Sequence, residues 1–368
     1  MKNKQVAHLT SVHSRYDTRI FFKECRSLVD AGYEVTLIVA DNKGDEVKNG
    51  VSVFDVGLSQ GRLKRITQTT KLVFEKAKIL NADIYHFHDP ELIPVALRLK
   101  RMGKKVIFDA HEDVPKQLLG KPYLNPVVSY CLSLVFSVYE RWTCGQFDAI
   151  VSATPFIRDK YLTINPNSID INNFPIKEEL EFEGDWSAKQ NSICYIGGIT
   201  ASRGIREMVR AMEITNIDVH LLLGGRFSEL QIETEVKQYS GWKYVNELGF
   251  LDRQGVREVL SKSTAGLVTL HPTMNYLESF PVKMFEYMSA GIPVIASNFP
   301  LWKQIIKQND CGICVNPLNS QEIAEAIQWI MEHPNKAAEM GNNGRKAVEE
   351  KYNWELESKK LLNVYENL

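Results

Sequence analysis

Short apolar runs alternate with amphipathic helical stretches along the whole chain, and this alternation limits the fold more than any other feature. VAHLTSV (Val6–Val12) reads as a first strand. A helix follows over Thr18–Ala31, with Ile20, Phe21, Leu28 and Val29 on one face, and Gly32 ends it before the strand YEVTLIVA. The order continues with VSVFDV, a helix from about Arg62 to Leu80, DIYHFHD, a helix over Leu92–Met102, KVIFDAHE and finally FDAIVSAT. Apolar strands alternating with helices imply a parallel sheet covered on both faces. A second series begins at Ser192: SICYIGGITASRGIREMVRAM, VHLLLGGRF, WKYVNELGFLDRQGVREVLSKS, AGLVTLHP, PVIAS, then GICVNP before a helix over Gln321–Glu332. Two such series in 368 residues predict an α/β chain of two Rossmann-like, doubly wound domains, residues 1–172 and 184–351, facing a central cleft. The polar, acidic SIDINNFPIKEELEFEGDW places the linker near Asn172–Glu183.

Composition narrows the class. With 44% apolar and 24% charged residues the chain is that of a globular protein. Its longest apolar stretch, Val127–Tyr139, is broken by three serines and is too short for a clean membrane span. The start, MKNKQVAHLTSV, moves directly into a strand, so no secretory signal is expected. Six scattered cysteines fit a reducing cytoplasm. Cys311 and Cys314 form a C-x-x-C, but CGICVNP reads as a buried strand without a second pair or a histidine cluster, which argues against a metal or redox centre there. Residues 1–175 hold 24 Lys and Arg against 19 Asp and Glu, and the remainder 20 against 26, so the two halves are expected to meet different partners. No nucleic-acid partner is expected.

The densest chemistry lies in Tyr276–Pro300, YLESFPVKMFEYMSAGIPVIASNFP. Ser279 is expected to cap a helix whose first turn holds Pro281 and which runs to about Ala290. Gly291 then caps its end and Pro293 prevents continuation. Glu278 falls on the loop before this helix, while Lys283 and Glu286, three apart, share a face. Free N–H groups and the dipole make such a helix start an anion site, and Lys283 adds a full charge. Glu286 is placed to accept from two vicinal hydroxyls, as on a ribose, and Glu278 from those of a sugar. A solvated surface helix is the bland alternative, but Ser-Phe-Pro, two glutamates and the Gly-Ile-Pro-Val-Ile exit occur in one register.

This stretch resembles the E-x7-E motif of the retaining GT-B glycosyltransferases of family 4, in the form PVKMFEYMSAGIPVI. The resemblance implies that Glu278 contacts the donor sugar and Glu286 the ribose. Ser279, Phe280 and Pro281 stand where many members carry glycines, so backbone amides there are expected donor contacts. GGITASRG resembles the family's G-R-x4-K-G loop around Gly197 and Gly198. Gly198 replaces its Arg, and Arg203 takes the Lys position, so Arg203 and Lys283 are expected to clamp the donor diphosphate, with Arg206 a further candidate. Gly249, Phe250 and Leu251 fall in the segment whose backbone reads the base. DAHEDVP resembles the family's strand-end histidine, making His111 a partner of the donor sugar and, with Glu278, Arg203 and Lys283, a catalytic candidate. The terminal helix 352–368 resembles one that packs back on the first domain.

Strand ends in the first domain point to Ser11–His13, His88–Glu91 and His111–Glu112. The loop TSVHSRYDTRI lacks the glycines usual in the family; His13, Asp17 and Arg19 either replace backbone contacts or order the loop. His86 and His88 are taken to alternate along a strand so that one faces the cleft, and there is no D-x-D pair, which argues against a metal. His88, Asp89 and Glu112, with His13 and Arg19, are therefore read as the acceptor side. The helix Arg62–Leu80 sets Leu63, Ile66, Val73 and Phe74 against Arg62, Lys64, Arg65 and Lys71, and is weighed evenly between lipid and sheet. Tyr123–Trp142 is expected to pack on the sheet.

These readings predict a retaining glycosyltransferase. It moves a sugar from a UDP- or GDP-sugar to a saccharide or lipid-linked acceptor in cell-surface glycan synthesis, without cofactor or metal. It is expected in the cytoplasm, with an anionic membrane surface as a candidate partner. No carboxylate pair is spaced for double displacement. A sugar-nucleotide epimerase or phosphorylase, or a two-lobed binding protein, is the alternative.

Overall fold

The computed structural model describes residues 4–120, 125–180, 186 and 189–368. Tyr123, the linker residues 181–183 and the expected domain start at residue 184 lie outside them. The chain forms two compact units, Met1–Asn173 with Leu356–Leu368, and Phe174–Glu355. The second unit starts ahead of the expected linker's end because the Phe174 ring sits 4.7 Å from Phe285 and 5.7 Å from Phe280, within its aromatic core. Tyr352 packs 5.1 Å from the Phe285 ring, so the chain rejoins the first unit at Leu356 rather than at residue 352.

The first unit holds β1 (Gln5–Leu9), β2 (Glu34–Val39), β3 (Glu46–Lys48), β4 (Val51–Asp55), β5 (Ile84–Phe87), β6 (Lys105–Ala110), β7 (Ala149–Ser152) and β8 (Ser168–Asp170). Their order is β3-β4-β2-β1-β5-β6-β7-β8, parallel throughout except for β3. The edge strand β3 was not anticipated. It pairs with β4 through a two-residue turn at Asn49-Gly50, both with positive φ (52° and 78°), the conformation an Asn-Gly hairpin selects. β5 is buried on both faces, as a sheet covered by helices requires.

The second unit holds β9 (Ser192–Ile196), β10 (His220–Gly224), β11 (Val245–Gly249), β12 (Ala265–Val268), β13 (Val294–Ser297) and β14 (Gly312–Val315), in the order β11-β10-β9-β12-β13-β14. The chain leaves β9 toward opposite edges for β10 and β12, and such a reversal opens a crevice beyond the strand ends. β1 stands in the same relation to β2 and β5.

Candidate active site

The crevice of the second unit is built from the end of β9, the loop to Arg203 and the helix Val282–Ser289. A cavity of about 320 Å³ lies there, lined by Gly197, Arg203, Tyr276, Ser279, Lys283 and Glu286 among others. Two cations converge on one glycine: a Cβ on Gly197 would stand 3.0 Å from Lys283 Nζ and 4.0 Å from Arg203 Nη1. Gly197 also has φ +134°, which side-chain-bearing residues rarely adopt. Arg203 Nη1 donates to the Gly198 carbonyl at 3.0 Å, and the Tyr195 hydroxyl donates to the same oxygen at 2.8 Å. Among the described residues Lys283 Nζ is buried without a hydrogen-bond partner, 3.6 Å from the Tyr195 ring centroid. Burial, then the neighbouring Arg203, lowers its pKa well below the usual lysine range, against a smaller opposing pull from Glu286.

Glu286 accepts from Arg253 Nη1 at 2.7 Å, and Arg253 Nε reaches Glu179 at 2.5 Å. The arginine thus holds the carboxylate at the cavity wall. Beside this cavity, sharing Ile196 and Gly197, lies a second of about 380 Å³, lined by Gly198, Gly225, Arg226, Phe250 and Leu251 among others. The Phe250 ring is exposed, 5.0 Å from the Arg226 guanidinium carbon, and the Gly249 carbonyl accepts from Gly225 N at 2.7 Å. A planar ring stacked on Phe250 and a diphosphate beside Arg203 and Lys283 would occupy adjoining spaces.

The entry to the helix differs from expectation. Pro281 is its N-cap and the helix starts at Val282. Ser279 is no cap: its hydroxyl donates to the Tyr276 carbonyl at 3.1 Å, and its own carbonyl accepts from Trp302 Nε1 at 2.7 Å. The Phe280 side chain turns into the core against Phe174 and Phe285, so what it offers a ligand is main chain. Glu278 is exposed and has no ion pair among the described residues. At the other end Gly291, φ +67°, closes the helix: Gly291 N donates to Met288 O at 3.0 Å and Ile292 N to Tyr287 O at 3.1 Å.

In the first unit most of the acceptor-side candidates turn inward. Arg19 is buried, with Nε and Nη2 each 3.0 Å from the Asp109 carboxylate and Nη1 2.7 Å from the Ile171 carbonyl. Of the two readings for this loop, ordering is the one Arg19 follows. Asp89 is buried too, accepting from Ser11 N at 2.6 Å and Thr10 Oγ1 at 2.8 Å. His86 and His88 are both buried on one face of the sheet, ring centroids 4.9 Å apart. The expectation that only one faces the strand-end site fails because residues two apart in a strand point the same way. What remains open is His111, partly exposed, its Nε2 3.0 Å from Asp109 Oδ2, with His13 5.1 Å away ring to ring. His13 itself bridges Asp17 and Asp89 at 3.5 Å each, and Glu112 is exposed.

Residues 18–171 match the family described as glycosyltransferase family 4, and residues 176–347 match glycosyl transferases group 1. The chain is a GT-B glycosyltransferase of the family 4 type. An uncharacterized glycosyltransferase of Methanocaldococcus jannaschii is 25% identical over 92% of this chain and 90% of its own. Among solved structures, sucrose-phosphate synthase from Thermosynechococcus elongatus superposes with a TM-score of 0.81 at 18% identity, covering 99% of both chains. The Anabaena protein HepE, in complex with UDP and glucose, superposes with a TM-score of 0.76 at 13% identity, covering 100% of both.

The cavity thus sets two basic side chains, Arg203 and Lys283, side by side at a glycine. Sequence patterns alone missed Arg253 and Glu179, because their partners come from distant positions: Glu179 is 74 residues from Arg253 and Glu286 is 33. They missed Tyr195 as a floor for Lys283 because a tyrosine ending a buried strand reads as core.

Proposed function

We propose that this glycosyltransferase moves a sugar from a UDP- or GDP-sugar to a saccharide or lipid-linked saccharide with retention of anomeric configuration, in the assembly of a cell-surface glycan. One observation carries this reading: the buried Lys283 ammonium, without an acceptor, beside Arg203 at a glycine with open space before it. An unpartnered buried ammonium is costly, and a diphosphate supplies the acceptors it lacks. Negative charge grows on that diphosphate as the sugar's C1–O bond breaks, so both cations stabilise the transition state more than the bound donor. Glu286, oriented by Arg253, is assigned the ribose hydroxyls, Gly249–Leu251 the base, and Glu278 and His111 the hydroxyls of the sugar. The UDP and glucose bound by the Anabaena relative support a donor of this chemistry. The transfer step is assigned no metal. The test is product analysis by NMR after incubation with UDP- and GDP-sugars and candidate acceptors. An axial-to-axial or equatorial-to-equatorial outcome at C1 supports the reading; inversion at C1, or donor epimerisation without an acceptor, refutes it.

A specific observation also favours a lipid-linked acceptor and a peripheral membrane position. The helix Pro126–Cys144 is inverted: Ser129, Ser133, Glu140 and Thr143 are buried, whereas Val127, Tyr130, Leu134, Val135, Val138 and Trp142 are exposed. The expected packing of this apolar face on the sheet is not what the structure contains. Among the described residues no helix is long and apolar enough to cross a membrane. The helical stretch Arg62–Leu80 exposes Leu63, Ile66, Leu72 and Ile79 among its basic residues, the pattern that suits anionic lipid.

A further inference from the structure

The histidines that sugar transfer does not use form a set of their own. His8 on β1, His86 on β5, His88 just beyond it and Glu24 in the helix Thr18–Cys25 are all buried, and one ligand atom from each lies within 4.8 Å of all the others. His8 Nδ1 is 2.9 Å from His88 Nε2, and Glu24 Oε2 is 3.8 Å from the first and 3.9 Å from the second.

Hydrogen bonding around this set does not close. Asp109 accepts two N–H groups from Arg19, so it is a carboxylate, and His88 Nδ1, 3.1 Å from it, carries a proton. His88 Nε2 is then a lone pair and takes the proton of His8 Nδ1. His8 Nε2 in turn takes the hydroxyl proton of Tyr365, 3.2 Å away, and the Tyr365 oxygen accepts from His86 Nδ1 at 2.7 Å. This chain ends with His86 Nε2 as a lone pair that no donor among the described residues reaches, and both Glu24 oxygens are likewise buried without a hydrogen-bond partner among them. Glu24 and Asp109 flank a single guanidinium, whose Nε lies 3.0 Å from each carboxyl group. Several lone pairs thus face a common buried point, where leaving them without a partner is expensive.

We propose that His8, His86, His88 and Glu24 bind one divalent transition-metal ion of the zinc class in a closed structural site. Tetrahedral ligands at ~2.0–2.2 Å from zinc stand ~3.3–3.6 Å apart; the separations among His8, His88 and Glu24, 2.9, 3.8 and 3.9 Å, straddle that range, and His86 lies within 4.8 Å of all three. With the ion bound through His8 Nδ1, His86 Nε2, His88 Nε2 and Glu24, two of the imidazoles keep an acceptor for their other N–H: Asp109 for His88 and the Tyr365 oxygen for His86. Such outer partners fix ring orientation at histidine metal sites. Three imidazoles and one carboxylate suit zinc, cobalt or nickel rather than magnesium or calcium. Four protein ligands leave no open position, so the ion's role is to tie β1, β5, the helix at Glu24 and, through Tyr365, the C-terminal helix.

The test uses tag-free full-length protein stripped with a chelator and titrated with cobalt(II) and then zinc chloride. The expected result is one cobalt per chain with the intense visible absorption of a tetrahedral site, displacement by zinc, and a melting temperature that zinc raises. His86→Gln should abolish stoichiometric binding and the zinc-dependent rise, whatever the loss of its 2.7 Å bond to Tyr365 does to the melting of the stripped protein. Glu24→Gln should act in the same direction, and Tyr365→Phe should weaken affinity ~10–100-fold. Wild-type protein that takes up no stoichiometric cobalt or zinc overturns the proposal, as does undiminished binding by both His86→Gln and Glu24→Gln.

Discussion

Lys283→Met separates what the buried ammonium costs the fold from what it gives the donor. Nζ has no hydrogen-bond partner among the described residues and rests 3.6 Å from the Tyr195 ring centroid. Leaving such a group unpaired costs about 1–3 kcal/mol, and more while it is charged. The ring returns about 0.5–2 kcal/mol, so the net cost is on the order of 1 kcal/mol. Methionine keeps a flexible stem and its apolar contacts without the charge. The variant should therefore be more stable than wild type by roughly 1 kcal/mol, which at this unit's size raises the melting temperature by about 2–4 °C. Donor binding should move the other way. A hydrogen bond to a charged group contributes about 1.5–3 kcal/mol, so affinity for UDP or GDP should fall roughly ten- to a hundredfold. Thermal denaturation and calorimetry read the two effects separately. A variant that melts lower than wild type and binds nucleotide as well would refute the reasoning, because Lys283 would then be a structural lysine.

The lowered pKa of Lys283 gives a pH signature. A diphosphate raises that pKa, so donor binding takes up a proton at any pH between the lowered and the raised value, and affinity falls as pH climbs through that window. Calorimetry in buffers of different ionisation enthalpy measures the uptake; a binding heat independent of buffer at every alkaline pH, in a protein that binds, would contradict it. Glu286→Gln should weaken nucleotide binding about tenfold or more, with Arg253→Ala following in the same direction. Glu278→Gln should spare binding and lower turnover at saturating donor, and the opposite pattern would mean the two glutamates exchange roles. Flotation with anionic vesicles should fall when Val135 and Val138 are both changed to Glu, and also as salt rises, since exposed charges are screened over ~10 Å at ~0.1 M. Flotation indifferent to both changes removes the membrane reading.

The parallel sheets were legible because strands buried on both faces are written as continuous apolar runs, as in VHLLLGG and VTLIVA. The edge strand β3 was not, since Glu46–Lys48 is short and half exposed, and its signal is the Asn-Gly turn rather than the strand itself. At the cavity, Lys283, Glu286 and Gly197 were readable from one helix and one loop. The arginine that holds Glu286 was not, because tertiary partners leave no local pattern. In the first unit, chain spacing placed His88, Asp89 and Arg19 near a strand-end surface, whereas a charged side chain can equally turn inward once partners such as Asp109 or Ser11 satisfy it. Helix Pro126–Cys144 inverts the usual rule that the apolar stripe faces the core, so its amphipathic pattern alone pointed the wrong way.

The central claim is that Arg203 and Lys283 together hold the diphosphate of a nucleotide sugar. Calorimetric titration of UDP, GDP and their sugars into full-length wild type, Arg203→Ala, Lys283→Met and the double variant tests it most directly. Wild type should bind one nucleotide series saturably and one to one, and each single variant should show a marked loss. The combined loss in the double variant should differ from the sum of the two, since both cations share one ligand. Absence of nucleotide binding to wild type, or binding that neither substitution alters, would contradict it.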